Sequence, residues 1–213
     1  MNVKKVYEKR FEGMLRSKNL VWKELCKSFF NKIIKPNASV LDIGCGNCEF
    51  LNNVKARRKV GIDLNPKSKE YADKDVTIIN KNVSKVKLQN NSFDYVFISN
   101  FLEHITREEI IKTLKKTHSL LKKKGKLIIL QPNIRYESKK YWDFFDHITP
   151  LTEESLKEVL LMLDFKIKKV IPRFLPYTTK SRLPKHPLLI KIYLRIPLLW
   201  RIFGKQSLII AEK

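Results

Sequence analysis

The segment Val40-Leu-Asp-Ile-Gly-Cys-Gly-Asn-Cys-Glu-Phe-Leu51 decides the fold of this chain. A short apolar run contains the acid Asp42, the turn Gly44-Cys45-Gly46 follows, and a helical pattern begins behind it. A buried parallel strand presents its carboxyl end to a small-molecule ligand in this way. Glycines allow both the tight turn and the close approach of backbone to ligand. The segment therefore predicts a strand, a ligand-binding turn and a helix.

On the carboxyl side of this segment, short apolar runs alternate with helical patterns. The predicted strands cover residues 40–43, 60–64, 76–79, 95–99 and 127–130, and the clearest helix covers about residues 107–123, ended by Gly125. Alternation of this kind predicts a parallel sheet with helices on both faces.

Other patterns occupy the two ends of the chain. Apolar spacing predicts two helices within residues 3–34. After residue 150 we expect a helix capped by Thr152, a strand at 165–171 and a last strand at 208–211. Between the last two strands, Pro197 divides a basic apolar stretch, 187–203, into two short helices. We therefore assign an N-terminal helical cap to residues 1–36 and an α/β domain to residues 37–213, which includes a basic apolar insertion at 172–205.

The charge is unbalanced, with 44 Lys and Arg residues against 21 Asp and Glu residues and a net charge of +23. Three explanations remain open at this point. The excess positive charge binds nucleic acid, it binds an anionic membrane, or it only keeps helix faces solvated.

Three cysteines do not suggest a disulfide framework and suit a reducing cytoplasm. Cys45 and Cys48 form a C-x-x-C pair, but Gly46 between them serves the ligand turn, so we predict neither a metal nor a redox site. The first residues lack the apolar region of a secretory signal. No apolar stretch reaches the ~20 residues of a membrane-spanning helix. We therefore expect a cytoplasmic protein.

Two acids narrow the choice of ligand for the turn. Glu49 occupies the position of the third glycine of G-x-G-x-x-G, where a carboxylate would face the pyrophosphate of a dinucleotide. NAD is therefore disfavoured. Asp63 ends the second predicted strand, about 20 residues further on, where an acid accepts hydrogen bonds from ribose hydroxyls.

These motifs resemble those of class I S-adenosylmethionine-dependent methyltransferases. The turn and Val60-Gly-Ile-Asp-Leu-Asn-Pro66 are similar to the first two motifs of that family, and three later segments follow in the family's order: Asn91–Val96, Ser99–Ile105 and Leu120–Ile129. The resemblance implies an α/β fold with a seven-stranded, mostly parallel, doubly wound sheet. In that fold the last strand, here 208–211, is antiparallel and is inserted between two others.

The resemblance also implies S-adenosyl-L-methionine as the cofactor and assigns residues to it. Asp42, Gly44 and Gly46 would line its methionine half, together with Cys45 of the same turn. Asp63 would hold the ribose and Leu64 would lie against the adenine. Asn82, followed by Val83, matches the position near the adenine amine, and Asn100 belongs to the loop after the fourth strand that completes the set.

Methyl transfer needs an aligned nucleophile and, for a hydroxyl acceptor, a base. His147 and His104 are the candidate bases, and His147 is slightly favoured because Asp143 and Asp146 flank it. Either histidine could instead have only a structural role. Five aromatic residues nearby could form an acceptor wall or pack in the core: Tyr136, Tyr141, Trp142, Phe144 and Phe145.

The methyl acceptor is the part of the predicted function that the sequence determines least. No Asn/Asp-Pro-Pro motif follows the fourth strand and no cysteine lies within 93–135, so the commonest nucleobase methylations are disfavoured and nucleic acid is the less favoured partner. The stretch 187–203 suits an anionic membrane surface, or it packs as a cap on the protein itself. Residues 173–187 resemble a subgroup associated with cell-envelope polysaccharide pathways. That resemblance implies a sugar or lipid-linked saccharide acceptor, whose diphosphate, or anionic lipid headgroups, could be met by Arg173, Lys180, Arg182 and Lys185.

We therefore predict O-methylation of a small-molecule, saccharide or lipid-linked acceptor by a protein held peripherally at the inner face of the membrane. An RNA methyltransferase is the alternative within the same enzyme class. A non-catalytic, membrane-attached binding module that retains the fold is the second alternative. The sequence does not determine the oligomeric state.

Overall fold

A computed structural model describes residues 15–177 and 186–213. The first of the two helices predicted at the amino terminus lies largely outside the described residues. The second is present as α1 (Leu15–Leu25), which continues through a π-helical turn, Cys26–Phe30, into a last turn at Asn31–Ile33.

Seven strands form one sheet: β1 (Ser39–Ile43), β2 (Arg58–Ile62), β3 (Val76–Ile79), β4 (Phe93–Ser99), β5 (Leu121–Pro132), β6 (Lys166–Leu175) and β7 (Gln206–Glu212). The remaining described α-helices connect them: α2 (Glu49–Asn53), α3 (Ser68–Tyr71), α4 (Arg107–Leu120), α5 (Ile134–Tyr141), α6 (Glu153–Met162), α7 (Pro187–Arg195) and α8 (Pro197–Phe203).

The strand order is β3-β2-β1-β4-β5-β7-β6. Strands β1 to β5 pair in parallel, whereas β7 is antiparallel to both of its neighbours, β5 and β6. The structure confirms the predicted seven-stranded sheet and its inserted antiparallel last strand. Because the first five strands run the same way, the loops that follow them meet at one edge of the sheet, which we call the carboxyl edge.

The core lies on both faces of the sheet. All five residues of β1 are buried, and alternate side chains enter different clusters, with Leu41 on one face and Val40 on the other. Burial on both faces explains why the strands read as continuous apolar runs rather than as alternating ones.

Several predicted boundaries differ from the structure, and three of them bear on the site or the edge strand. Helix α4 ends at Leu120, before the predicted 123, because Leu121 already belongs to β5 and the lysine-rich segment after it lies in an irregular part of that strand. Strand β2 ends at Ile62, so Asp63 lies in the following loop. Strand β6 continues through Pro172 to Leu175, which an edge strand tolerates.

The insertion before β7 forms two helices, as Pro197 predicts. Pro197 has no N–H for the carbonyl of Tyr193, and the indole Nε1 of Trp200 donates to that oxygen instead, at 2.8 Å. The ring of Trp200 also packs edge-on against Phe174 of β6. In the described part of the chain, no helix has the length and apolar character needed to cross a membrane.

Candidate active site at the carboxyl edge

The turn after β1 depends on glycine at position 44. Gly44 has a φ of +75°, and a Cβ there would lie 2.6 Å from the ring of Phe101. The N–H groups of Gly44 and Cys45 both donate to the carbonyl of Ile62, at 2.8 and 3.2 Å. The turn is therefore held against the end of β2 on one side and the loop after β4 on the other.

Asp63 joins the first two loops of this edge. Its Oδ2 accepts a hydrogen bond from the N–H of Gly46 at 2.7 Å, and its Oδ1 accepts one from the N–H of Asn65 at 2.8 Å. A carboxylate has about four acceptor positions, so Asp63 retains acceptor capacity for a ligand.

Buried carboxylates lie next to this turn. Asp42 is 3% exposed, and burial, with the nearby Asp63 and Glu49, raises its pKa well above the usual range. Oδ1 of Asp42 and Oε1 of Glu49 are buried without a hydrogen-bond partner. Such an arrangement suits a cationic ligand, and S-adenosylmethionine carries positive charge on its sulfonium and its amino group. The residues present therefore fit the predicted cofactor.

The residues predicted to meet the adenine surround the ends of β2 and β3. The side chain of Leu64 is 70% exposed, whereas Val83 is buried in the core. Oδ1 of Asn82 accepts hydrogen bonds from the N–H and the hydroxyl of Ser84, at 2.9 and 2.8 Å. Those two bonds fill the usual capacity of an amide oxygen.

Sequence reasoning missed Asn80. Its Nδ2 donates to the carbonyl of Asn65 at 2.9 Å and so ties the loop after β2 to the end of β3. An amide directly after an apolar strand was the signal that could have revealed it.

Asn100 lies in the loop after β4 and has a φ of +47°. Its N–H donates to the carbonyl of Leu130 at 2.9 Å, and its side chain donates to the hydroxyl of Ser99. The loop after β4 is thereby fixed to β5, next to Phe101 and the glycine turn.

The structure brings the two predicted histidines together, although they belong to different loops. The N–H groups of Ile148 and Thr149 donate to the carbonyl of Glu103, at 2.9 and 3.1 Å, and so join the loop after α5 to the loop after β4. The rings of His104 and His147 then lie 4.9 Å apart, edge to face.

Carboxylates flank His104 on both sides. Its Nδ1 lies 3.0 Å from the carbonyl oxygen of Asp146 and 3.4 Å from that residue's Oδ2, and its Nε2 lies 3.9 Å from Oε1 of Glu103. Glu103 is 1% exposed, and burial raises its pKa. The histidine side chains differ in access, since His104 is partly exposed and His147 is buried.

The same group contains ligand types that divalent metals use. Within the described ranges, Glu103, His104 and His147 are the residues of this kind that offer ligand atoms all within 4.8 Å of one another. The sequence suggested no metal site, because these residues come from two separate loops.

The predicted aromatic wall divides into two parts. Tyr141 is fully buried and its hydroxyl donates to the carbonyl of Thr149 at 2.6 Å, while Tyr136 lies under the guanidinium of Arg173. Phe144 stacks on His147 with ring centroids 5.1 Å apart. Trp142 and Phe145 are exposed, by 54% and 70%. The exposed rings and Phe144 are therefore the ones available to a ligand.

Gln131 is a buried polar residue that sequence reasoning missed. It lies near the end of β5, is 1% exposed, and neither its Oε1 nor its Nε2 has a hydrogen-bond partner. Ser207, its register partner in β7, also has a buried hydroxyl without a partner. A glutamine that follows four apolar strand residues was the available signal.

Comparison with known families identifies the family of this chain. A family model described as "Methyltransferase domain" matches residues 14–170, which is more than half of the 213 residues. The chain belongs to this methyltransferase family. Membership confirms the fold and the S-adenosylmethionine cofactor that the motifs predicted.

Two similar curated proteins are a carboxy-S-adenosyl-L-methionine synthase of Campylobacter jejuni and a phosphoethanolamine N-methyltransferase of Plasmodium falciparum. The first is 29% identical over 123 residues, 54% of this chain and 52% of the relative. The second is 27% identical over 180 residues, 76% of this chain and 66% of the relative. An uncharacterised protein of Methanocaldococcus jannaschii is 34% identical over 51% of this chain and 46% of its own. The chain thus spans about half the length of the first relatives that it matches.

Solved structures agree on the fold. A S-adenosylmethionine-dependent methyltransferase of Archaeoglobus fulgidus has a TM-score of 0.71 and 26% identity, with 98% of both chains covered. A geranyl diphosphate C-methyltransferase of Streptomyces coelicolor, solved with Mg²⁺, geranyl diphosphate and S-adenosyl-L-homocysteine, has a TM-score of 0.62 and 14% identity over 89% of this chain and 80% of its own. The second likeness concerns the fold alone.

Proposed function

We propose that this protein transfers the methyl group of S-adenosylmethionine to a hydroxyl of a small-molecule, saccharide or lipid-linked acceptor. One observation carries the proposal: Asp63 joins the loop after β1 to the loop after β2, beside the buried carboxyl groups of Asp42 and Glu49. The cofactor supplies an electrophilic methyl group on a sulfonium. The chain supplies binding, orientation and removal of the acceptor proton.

The binding roles follow from the positions of the residues. Asp63 accepts hydrogen bonds from the ribose hydroxyls of the cofactor. Asp42, with the turn that contains Gly44, Cys45 and Gly46, lies next to the positively charged methionine half of the cofactor. Leu64 covers one face of the adenine. Asn82 and Val83 contact the adenine edge through the donor side of the Asn82 amide and through backbone, and Asn100 closes the site beside Phe101.

Calorimetry with S-adenosyl-L-homocysteine tests this donor site. Asp63→Asn keeps the size of the side chain but removes its charge, and we expect at least about a tenfold loss of affinity, since hydrogen bonds to charged groups contribute about 1.5–3 kcal/mol. The matched control is Asp73→Asn, an exposed acid of a later loop. No binding by the wild-type protein, or equal binding by both variants, would contradict the assignment.

His104 is the base in this proposal, and His147 supports it. The greater exposure of His104 and the carbonyl of Asp146 at Nδ1 leave its Nε2 to take the proton as the acceptor oxygen accepts the methyl group. This reverses the slight preference for His147 given by the sequence. The ring of His147 packs edge to face against the ring of His104 and holds it in position.

Chemical rescue distinguishes a base from a structural residue. We expect His104→Ala to lose about 10²–10⁴-fold in methyl transfer, to keep its affinity for S-adenosyl-L-homocysteine, and to regain activity with added imidazole. His147→Ala should not be rescued. Activity of the wild type that disappears with EDTA and returns with a divalent metal would instead assign Glu103, His104 and His147 to a metal.

A small-molecule acceptor is supported by the exposed rings at the site and by the similarity to a phosphoethanolamine N-methyltransferase, an enzyme named for a small-molecule acceptor. Arg173, which the sequence offered to a diphosphate or to lipid headgroups, is engaged elsewhere: its Nε and a terminal nitrogen donate to the carbonyls of Gly204 and Ile202. Lys180, Arg182 and Lys185, offered with it, lie outside the described residues.

The outer surface of α7 and α8 is our candidate for contact with an anionic membrane. Its exposed apolar side chains are Leu188, Leu189, Ile192, Ile196, Leu198, Ile202 and Phe203. Arg195 and Arg201 are exposed among them, and no acid occurs from 187 to 205. The inner surface packs on the protein through Leu194 and Trp200, so one segment is both a cap and an interfacial surface.

Vesicle flotation tests this contact. We expect binding to vesicles that contain phosphatidylglycerol and little binding to phosphatidylcholine vesicles. Leu198→Ser with Ile202→Ser should abolish it. Leu161→Ser with Met162→Ser, which removes equally exposed apolar residues from α6, is the matched control. Binding that both pairs reduce equally would contradict an assignment to α7 and α8.

The acceptor class itself is tested by transfer of a radiolabelled methyl group into a lysate that is then separated into lipid, saccharide, protein and RNA. Label in lipid or saccharide supports the proposal. Label in RNA would favour the RNA methyltransferase, and intact cofactor binding without transfer to any fraction would favour the non-catalytic module.

A further inference from the structure

A basic cavity lies at the opposite edge of the sheet, where β1, β4 and β5 begin. Its volume is about 560 Å³, and six cationic side chains line it: Lys35, Arg57, Lys122, Lys123, Lys124 and Lys126. Asp94 is the one acid among the lining residues. The methyl-donor turn lies at the carboxyl edge, so this cavity is separate from the proposed active site.

Asp94 neutralises only one of these cations. Its Oδ1 pairs with Nζ of Lys122 at 2.8 Å, while its Oδ2 accepts hydrogen bonds from the N–H and the hydroxyl of Ser39, at 2.8 and 2.7 Å. For the other five lining cations, the described ranges contain no acid within ion-pair distance. The cavity therefore concentrates positive charge from three separate chain segments.

The lysine-rich turn is held in one conformation. Lys124 has a φ of +63°, and a Cβ on Gly125 would lie 2.8 Å from the carbonyl of Lys122. The last residue, Lys213, fixes the turn, because its N–H donates to the carbonyl of Gly125 and its Nζ donates to that of Leu121. A fixed turn loses less entropy when a ligand binds.

We propose that this cavity, which we call the basic cavity, binds a compact polyphosphate, with several phosphate groups in series as in tripolyphosphate or a nucleoside triphosphate. Its volume lies in the usual range of small-ligand pockets, about 300–1,000 Å³. Cations from three chain segments that line one cavity fit a compact anion. Its aromatic lining residue, Tyr95, is buried, and single-stranded nucleic acid sites use exposed rings for stacking.

Calorimetry of the full chain with sodium tripolyphosphate tests the proposal. We expect Lys123→Gln with Lys126→Gln to weaken binding at least about tenfold, because each removes a charge-assisted contact. The matched pair is Lys112→Gln with Lys115→Gln, on α4, which lowers the net charge equally and should change the affinity less than twofold. No binding by the wild type, or equal weakening by both pairs, would overturn the proposal.

Two further titrations identify the source of the phosphates. Equal affinity for ATP and tripolyphosphate shows that the phosphate chain alone is recognised, whereas tighter binding of ATP adds a contact to the nucleoside. An RNA oligonucleotide that binds and is not displaced by tripolyphosphate would overturn the proposal in favour of a nucleic-acid surface. Repeating the titration with saturating S-adenosyl-L-homocysteine should give the same affinity. Failure of this site therefore leaves the proposed methyl transfer untouched.

Discussion

At the scale of single residues, protonation of the buried Asp42, which we propose to face the cofactor, affects stability. Its raised pKa means that the folded protein holds this proton more tightly than the unfolded chain does. The stability it contributes is therefore complete below the unfolded pKa of about 3.9 and is lost as the pH rises through the raised folded value.

We expect Asp42→Asn to raise the free energy of unfolding at neutral and alkaline pH by about 1–2 kcal/mol, because a buried charge no longer has to form. Urea unfolding at pH 5, 7 and 8.5 measures this, and the curve against pH should become flatter. The same variant should bind S-adenosyl-L-homocysteine more weakly. Asp73→Asn is the exposed control, and lower stability of Asp42→Asn at every pH would refute the electrostatic explanation.

Gln131 is a second residue at which we expect one substitution to raise stability and lower activity. Its buried amide lacks partners, so Gln131→Met, which is similar in size, should raise the unfolding free energy by about 1–2 kcal/mol. If the amide orients the acceptor, transfer of labelled methyl should fall in the same variant. The exposed Gln89→Met should change neither quantity, and a destabilised Gln131→Met would show that the amide is satisfied in the folded state.

At the scale of elements, a capping box starts α4 directly after the loop that carries His104. The hydroxyl of Thr106 accepts from the N–H of Glu109, and the Glu109 carboxylate accepts from the N–H of Thr106, at 3.3 and 3.0 Å. His104 lies two residues before this cap. The cap therefore ends the loop that carries this candidate base.

We expect Thr106→Ala to lower the free energy of unfolding by about 1 kcal/mol, the usual contribution of such a cap. Thermal and urea unfolding measure the loss. Glu109→Gln keeps an acceptor for the same N–H and should cost clearly less. A larger loss in Glu109→Gln than in Thr106→Ala would show that charge near the helix start, rather than the cap, is responsible.

Elements were predictable where a local signal marks them. Thr152 caps α6 as expected, with Ser155 as its reciprocal partner, and Pro197 separates α7 from α8. The end of α4 was misplaced because the lysines after Leu120 suit a helix surface as well as they suit a strand. Pairing with β4 decided between the two, and pairing is not a local property.

At the scale of the whole molecule, one side chain compensates for a helix break and joins the insertion to the sheet. Trp200 donates to the Tyr193 carbonyl that Pro197 leaves without its helical partner, and its ring packs on Phe174. We expect Trp200→Phe to lower the unfolding free energy by about 1–2 kcal/mol, since the ring is largely kept and the hydrogen bond is lost.

A double-mutant cycle isolates that hydrogen bond. Pro197→Ala restores an N–H that can donate to the Tyr193 carbonyl, so the loss caused by Trp200→Phe should be smaller in that background, with a coupling of about 0.5–1 kcal/mol. Additive losses would mean that Trp200 acts through packing alone.

The sequence by itself determined the alternation of strands and helices and the ligand-binding turn, because apolar strands, a glycine turn and spaced acids are local signals that survive without tertiary context. The resemblance of its motifs to class I methyltransferases implied the seven-stranded sheet, its antiparallel last strand and the methyl donor. The sequence also named both histidines. Only the tertiary structure decided that His104 and His147 lie side by side with Glu103 and that Gln131 is buried without partners. It also showed that six cations from three segments surround one cavity. Those arrangements arise where loops from different strands meet at an edge of the sheet, and proximity of that kind depends on strand order and packing rather than on neighbouring residues.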